Sequence, residues 1–376
     1  MHEIGIALLG SRFMGKAHSH AWRSVNSFFD LPVHARLEVI GGRDQTHLED
    51  MRRRFGWTRS GTDWEEIVAD PAVGLVDVAT PNHLHAEQSV AALEAGKVVA
   101  CEKPLAATLG QAKAMAEAAR GRHTFVWFTY RRVPALALAR RMVSEGLVGR
   151  LFHVRAAYLQ GWGGPSTPLL WRFRAEEAGS GAHGDLNAHI IDMARFVTGD
   201  EFSEIAGAIE QRFVDQRATN DGTLAPSTVD DAVLFLARFR SGAVGTFEAT
   251  RLATGVKNSN RIEIHGERGA IRFDFERMNE LQVFEGGEPA AEQGWKTILA
   301  THPDHPWAGS WWPDGHWLGY EHTFTNTAAD ILAVLGGAQP QAPLADFDDA
   351  YQTQRVMEAA ILSARQRRPV AIEEVA

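Results

Sequence analysis

The chain lacks the features that would tie it to a membrane, a nucleic acid or an oxidising compartment. It has one cysteine, Cys101, in 376 residues. That excludes an internal disulfide and a CxxC metal or redox site, and suits the cytoplasm. No apolar run approaches the roughly 20 residues needed to cross a bilayer. Met1-His2-Glu3 is not a basic leader, and Ile4 to Leu9 is too short for a signal core. A positive excess is missing too. With 38 Lys+Arg against 47 Asp+Glu, the net charge is −9. This argues against nucleic acid or anionic lipid as a partner and leaves room only for a local basic pocket. There is no internal repeat and no low-complexity linker. The remaining composition, 45% hydrophobic and 23% charged, is ordinary for a soluble globular protein, with length for two domains or one large one.

What is present begins with strand-like runs that end in chemistry. Ile4–Leu9 is apolar and leads into Gly10-Ser11-Arg12-Phe13-Met14-Gly15, then a helical stretch from Lys16. Strand, glycine turn and helix are the context of a dinucleotide-binding fingerprint. Gly10 makes the tight turn and Gly15 lets the helix pack close to the strand. Arg12 replaces the middle glycine, and an arginine at a helix N-terminus can itself contact phosphate. A second strand, Leu37–Ile40, ends at Gly41-Gly42-Arg43-Asp44. A carboxylate is expected there for the adenosine ribose, but glycine comes first and Arg43 precedes Asp44. A third, Gly74–Ala79, is followed by Thr80-Pro81-Asn82-His83-Leu84-His85, which opens a helix. A fourth, Val98–Cys101, ends in Glu102-Lys103-Pro104. Ligands bind at the carboxyl ends of strands in open parallel sheets, so Lys103 is placed to act on one. Strands alternating with helices up to His123–Thr129 predict a doubly wound parallel sheet over residues 1–130.

Beyond residue 130 the pattern changes. A helix at Pro134–Glu145 and a strand at Leu151–Leu159 precede Gly161-Trp162-Gly163-Gly164-Pro165 and Trp171-Arg172. From Asp185 the apolar residues Leu186, Ile190, Met193, Ala194 and Val197 hold helical spacing, and Asp185, His189 and Asp192 fall on another face. Alone, that set reads most simply as a solvated polar face. Strand-like runs then follow to Phe284 with tight connections such as Arg240-Ser241-Gly242, which predict antiparallel neighbours. Their apolar side chains, including Phe235, Phe239, Val244, Phe247, Ile262 and Ile264, predict a sheet face that a second copy covers. A long loop, about 286–318, carries Trp307, Trp311, Trp312 and Trp317, and two helices close the chain. His302, His305, His316 and His322 are irregularly spaced and form no metal-ligand pattern, so no metal is expected.

The fingerprint, Thr80-Pro81-Asn82, Glu102-Lys103-Pro104 and Gly184-Asp185-x-x-x-His189 stand in one order at domain-scale spacing. Together they resemble the Gfo/Idh/MocA oxidoreductases, a family that includes glucose–fructose oxidoreductase and inositol dehydrogenases. The resemblance implies an α/β chain. It would have an N-terminal Rossmann domain (1–130) and a C-terminal domain (131–376) on an open, mainly antiparallel sheet, for substrate binding and oligomerisation. The last helix would pack back on the first domain. The resemblance implies NAD or NADP as cofactor, held around Phe13 and Met14, by Thr80 and Asn82, and beside Glu102. Gly10 and Arg12 in the glycine turn, Arg43 and His85 are added as cofactor candidates from their places in the sequence, although Arg12 and Gly42 depart from the commonest family pattern. It puts catalysis on Lys103, Asp185 and His189. A polyol pocket would be lined by Trp162, Trp171 and Arg172. It also implies a homodimer or homotetramer.

The chemistry suits those residue types. Oxidising a secondary alcohol removes a hydride and a proton, and a histidine is a suitable base for the proton. Asp185 can orient His189 or share the hydroxyl, and Lys103 can stabilise the charge growing on the oxygen. The expected activity is therefore hydride transfer between a secondary alcohol of a sugar, inositol or glycoside and a nicotinamide. Two alternatives stay open: a glycoside hydrolase that uses a retained NAD for transient oxidation, and a non-catalytic dinucleotide-binding regulator.

Overall fold

The computed structural model describes residues 2–375. Two compact units divide the chain: Met1–Arg132 with Pro306–Tyr351, and Val133–His305 with Gln352–Ala376.

The first unit alternates strands and helices in chain order. These are β1 (His2–Leu9), α1 (Phe13–Phe28), β2 (Val33–Gly41), α2 (Gln45–Phe55), β3 (Arg59–Gly61), α3 (Trp64–Ala69), β4 (Leu75–Val78), α4 (His85–Glu94), β5 (Val98–Cys101), α5 (Leu109–Ala118) and β6 (Thr124–Val126). Local chemistry starts the helices. Asp44 and Asp63 accept N-terminal N–H groups of α2 and α3, and Thr108 with Gln111 forms a capping box on α5. The six strands are all parallel in the order β3-β2-β1-β4-β5-β6. Ile6, Leu8, Val39, Ile40, Val76, Val99 and Ala100 are wholly buried, as strands covered on both faces require. The strand order reverses between β1 and β4, so the loops leaving these two strands part and open a crevice at their carboxyl ends.

The later stretch of this unit was not legible as part of it. Here α9 (Tyr320–Leu335) packs along α1. Trp307 is buried and donates its indole N–H to Asp330 (3.2 Å). Trp311 stacks on Phe28, with ring centres 4.4 Å apart, and donates to Asn326. Two of the four loop tryptophans are thus packing residues, while Trp312 and Trp317 are exposed. The expected loop is not all loop either: Trp295–Leu299 is a strand.

The second unit holds α6 (Pro134–Ser144), β7 (Leu151–Leu159), α7 (Ala175–Ala178), a π-helical turn (His183–Asn187), α8 (Ala188–Thr198) and β8 (Phe202–Gln211). A small hairpin, β9 (Gln216–Ala218) and β10 (Leu224–Pro226), precedes β11 (Ala232–Phe239), β12 (Val244–Thr250), β13 (Ser259–Gly266), β14 (Gly269–Asp274), β15 (Glu280–Glu285) and β16 (Trp295–Leu299). The chain closes through α10 (Phe347–Gln366), whose first turns belong to the first unit, and β17 (Val370–Ala371). The nine-stranded sheet runs β16-β15-β14-β13-β7-β12-β11-β8-β17, and only β7 and β12 are parallel neighbours. The antiparallel neighbours agree with the tight connections read from the sequence, while the parallel β7–β12 pair was not expected.

One expectation about this sheet is corrected. Phe235, Phe239, Phe247, Ile262 and Ile264 point into the core, each no more than 3% exposed. They lie on the face that α8 covers at β7 and β13. Strand alternation puts their neighbours outward. The outer face carries Phe152, Leu236, Val244 and Ile209, among ion pairs such as Arg155–Glu263 and Arg261–Asp274.

Candidate active site

Two clusters carry the residues with chemistry, one in each unit. In the first, Gly10 follows β1 at φ +120, a conformation open to glycine alone. A Cβ there would lie 2.3 Å from the Ala79 carbonyl oxygen, and one on Gly15 would lie 2.4 Å from the Gly10 carbonyl oxygen. The turn is therefore as tight as the fingerprint demands. Arg12 sits at a negative φ of −86, so this position does not need the positive φ that only glycine adopts freely. Its guanidinium is exposed and 3.4 Å from Asp44. No side chain caps the first turn of α1, and no acidic residue lies in it. An uncapped helix start beside a glycine turn at the strand-order reversal is suited to a pyrophosphate. Phe13 is exposed and Met14 half-buried beside it. Arg43 is exposed at the end of β2, while Asp44 is engaged as the cap of α2 and as the partner of Arg12. These residues fit a dinucleotide.

The loops after β4 and β5 are tied together. Thr80 donates its hydroxyl to Gln88 (2.7 Å), and Asn82 opens a short 3-10 turn. His85 is wholly buried, with Nε2 2.9 Å from the Thr80 carbonyl and Nδ1 3.0 Å from the Pro104 carbonyl. Burial pushes its pKa down. Both ring nitrogens face backbone carbonyls, and the neutral ring donates to one of them, so the imidazole is packed between the β4 and β5 loops. Lys103 is half-buried, and its N–H donates to Glu102 Oε2 (2.9 Å).

Behind Glu102 lies a buried network that the sequence reading missed. His18 Nδ1 is 2.8 Å from Asp77 Oδ2, and its Nε2 is 3.0 Å from Glu102 Oε1. Trp22 and Trp127 donate their indole N–H groups to the two Asp77 oxygens, at 2.7 and 2.8 Å. Burial alone would lower the His18 pKa, but Asp77 and then Glu102 outweigh it and raise it from 6.5 to about 9. The ring is an imidazolium at neutral pH. The stability this adds is complete below the unfolded value of 6.5 and is lost as the pH rises through about 9. One signal was available: Asp77 is a carboxylate inside the apolar run Leu75-Val76-Asp77-Val78.

In the second unit the residues from Asp185 to Asp192 do not form a solvated face. His189 and Asp192 are buried, and Asp185 is half-buried. The helix begins as a π-helical turn, His183–Asn187, an irregularity often found at functional sites. Asp230 holds its start by accepting the N–H groups of Gly181 (2.7 Å) and His183 (2.8 Å). Asn187 donates to His183 Nδ1 (2.9 Å), so His183 is the Nε2–H tautomer and donates to the Met357 carbonyl (2.9 Å). His189 lies against the Tyr158 ring, with centres 5.8 Å apart.

Asp185 is paired with Arg251, whose Nη2 donates to Oδ2 at 2.9 Å from a side chain 2% exposed. Arg251 Nη1 donates to the Arg172 carbonyl (3.1 Å), and its guanidinium lies over the Trp162 ring. Arg217, fully buried, donates to the carbonyls of Gly163, Gly164 and Thr167 and anchors the glycine-rich loop. The structure thus groups Asp185 with Trp162 and Arg172 through Arg251. Trp162 is partly exposed, and the Arg172 guanidinium stacks on the Trp171 ring. Arg251, Arg217 and Asp230 had no local sequence signal, because their partners are distant in the chain.

With this geometry in hand, the relatives are informative. Residues 4–130 match the model of an oxidoreductase family with an NAD-binding Rossmann fold, and residues 136–272 match the GFO/IDH/MocA C-terminal domain. A levoglucosan dehydrogenase from Pseudarthrobacter phenanthrenivorans is 39% identical over 393 aligned positions that cover 100% of both chains. The crystal structure of an oxidoreductase domain protein from Kribbella flavida superposes with a TM-score of 0.95 at 48% identity, covering 99% of this chain and 100% of that one. A levoglucosan dehydrogenase in complex with NADH and levoglucosan superposes with a TM-score of 0.94 at 40% identity, covering 99% of this chain and 100% of that one. The chain belongs to the Gfo/Idh/MocA family of oxidoreductases, whose Rossmann domain binds NAD.

Proposed function

We propose that this protein is an NAD-dependent dehydrogenase that oxidises a secondary hydroxyl of a sugar, with levoglucosan the first substrate to test. The observation that carries this reading is the pairing of Asp185 with the buried Arg251 on the helix that bears His189. The guanidinium keeps Asp185 ionised, so it accepts a hydrogen bond from a substrate hydroxyl rather than donating one. His189 takes the proton of the reacting hydroxyl as general base. Lys103 donates to the same oxygen and stabilises its growing negative charge. A bound nicotinamide supplies the hydride acceptor. Trp162, Trp171 and Arg172 offer ring faces and donors to the rest of the sugar. The test is a screen of levoglucosan, inositols and glycosides for NADH formation. Accumulation of NADH without release of an aglycone is expected. Aglycone released with no net NADH would overturn the dehydrogenase reading in favour of a hydrolase.

NADP should also be accepted. Gly42 supplies no carboxylate to repel a 2′-phosphate, and the exposed Arg43 can pair with one. Titrating both nucleotides should give a preference for NAD below about a hundredfold, which widens in Arg43→Ala. A larger preference that is unchanged by the substitution would refute this.

The outer face of the nine-stranded sheet supports a homodimer or homotetramer. Ile209 is 57% exposed and Leu236 53%, among the ion pairs of an otherwise water-compatible surface. Such apolar side chains on a broad sheet face suit a second copy of the chain. Light scattering at micromolar concentration should give a multiple of the 41.3 kDa chain mass. A mass of one chain with full activity would exclude it. The lone buried thiol suits a cytoplasmic setting. Among the described residues, no helix is long and apolar enough to cross a membrane.

A further inference from the structure

We propose that His18 is a positioning residue of the reaction: clamped as an imidazolium between Asp77 and Glu102, it fixes the end of β5, and with it Lys103, relative to the cofactor-binding start of α1. The proposal rests on the role given to Lys103 above. Its basis is geometric. The clamp ties together three elements of the first unit: His18 lies on α1, Asp77 on β4, and Glu102 directly after β5. His18 stands four residues after Met14, on the same helix face as the fingerprint. Both of its ring nitrogens face carboxylates, at 2.8 and 3.0 Å, and only a protonated ring donates to both.

Each end of the clamp is itself fixed. Asp77 accepts the two indole N–H groups of Trp22 and Trp127. Glu102 gives one oxygen to His18 and the other to the backbone N–H of Lys103, 2.9 Å away. One carboxylate therefore joins the imidazolium to the residue that carries the ammonium. The Trp127 ring lies against His18, with centres 4.2 Å apart, and Phe324 closes another side. The raised pKa of His18 agrees with a ring that is charged throughout the neutral range.

The cost of this arrangement argues for a use. His18 and Asp77 have no exposed side-chain surface, and Glu102 has 7%. Burying two carboxylates with one cation costs desolvation, and apolar residues of similar volume would hold a core at least as well. A network that adds little net stability does, however, set distances and angles closely, because each carboxylate oxygen and each ring nitrogen has a fixed partner. Misplacing a catalytic group by about 1 Å can cost about a hundredfold in rate.

Three measurements test this, two of them independent of any substrate. With histidine labelled by nitrogen-15, long-range proton–nitrogen spectra of the cofactor-free protein should show one imidazolium persisting at about pH 8, where an ordinary histidine is neutral, and missing in His18→Gln. Reductive methylation read by mass spectrometry should show the Lys103 labelling rate changed about threefold or more in His18→Gln, with the other lysines unchanged. With a sugar substrate, His18→Gln should lower kcat about 10- to 100-fold while KM for NAD moves less than about threefold. Adding His18→Gln to Lys103→Met should then cost nothing further, since the first acts through the second. A neutral His18 at that pH, an unchanged Lys103 labelling rate, or penalties that multiply would each overturn the proposal. If His18→Gln does not fold, the spectra of the unaltered protein and the same labelling comparison in His18→Asn decide it. If no sugar is oxidised, the proposed function fails, and the spectra and labelling still decide the role of His18.

Discussion

Lys103→Met is expected to bind NADH within about threefold of the unaltered protein and to lose about 10²–10³ in turnover. The backbone at this position is held independently of the side chain: its N–H is bonded to Glu102, and Glu102 to His18. A methionine of similar length fills the space without disturbing the strand end. What it removes is the ammonium, which in the proposed function is the donor to the hydroxyl oxygen as the proton leaves. Because that charge is larger in the transition state than in the ground state, the loss falls on kcat rather than on KM. NADH fluorescence titration and single-turnover rates measure the two separately. A turnover near that of the unaltered protein at saturating sugar would remove Lys103 from the chemistry.

His189→Ala is expected to cost about 10²–10⁴, the usual weight of a general base. The variant should also change the shape of the pH profile. If His189 is the base, kcat/KM of the unaltered protein should fall on the acid side as the base takes up a proton. Without the imidazole that fall disappears, and the residual rate depends on the hydroxyl losing its proton to water or hydroxide. A parallel loss in Asp185→Asn with the acid-side fall intact would separate the orienting carboxylate from the base. If His189→Ala retains both the rate and the acid-side fall, another residue is the base.

Much of the first unit was legible in the sequence. Ile4–Leu9, Val98–Cys101 and the glycine turn at Gly10 are local patterns, because a strand buried on both faces must be apolar throughout and a tight turn needs glycine. The helix starts at Asp63 and Thr108 are equally local, since a cap bonds only two or three residues ahead. Lys103 could be placed at a strand end by the same means. The helical face of Asp185 and His189 could be counted off as well, although whether it meets solvent or protein could not. Periodicity tells which residues share a face but not what covers it. The outward and inward faces of β11 to β13 were confused for the same reason: both carry apolar side chains, and only the helices of the second unit decide which is core.

The sequence alone determined the alternation of strands and helices over the first 130 residues, the cofactor fingerprint, and the residue types that can carry hydride-transfer chemistry, because each of these is written within a few residues of itself. Only the tertiary structure decided which charges are paired. His18 meets Asp77 and Glu102 across separations of 59 and 84 residues, and Arg251 meets Asp185 across 66. It also decided that Pro306–Tyr351 joins the nucleotide-binding unit, and that Trp307 and Trp311 are packing residues of that unit. The physical reason is the range of the forces. Turn and helix preferences act over one to four residues, whereas a buried ion pair becomes worthwhile only once the whole fold has excluded water from both partners.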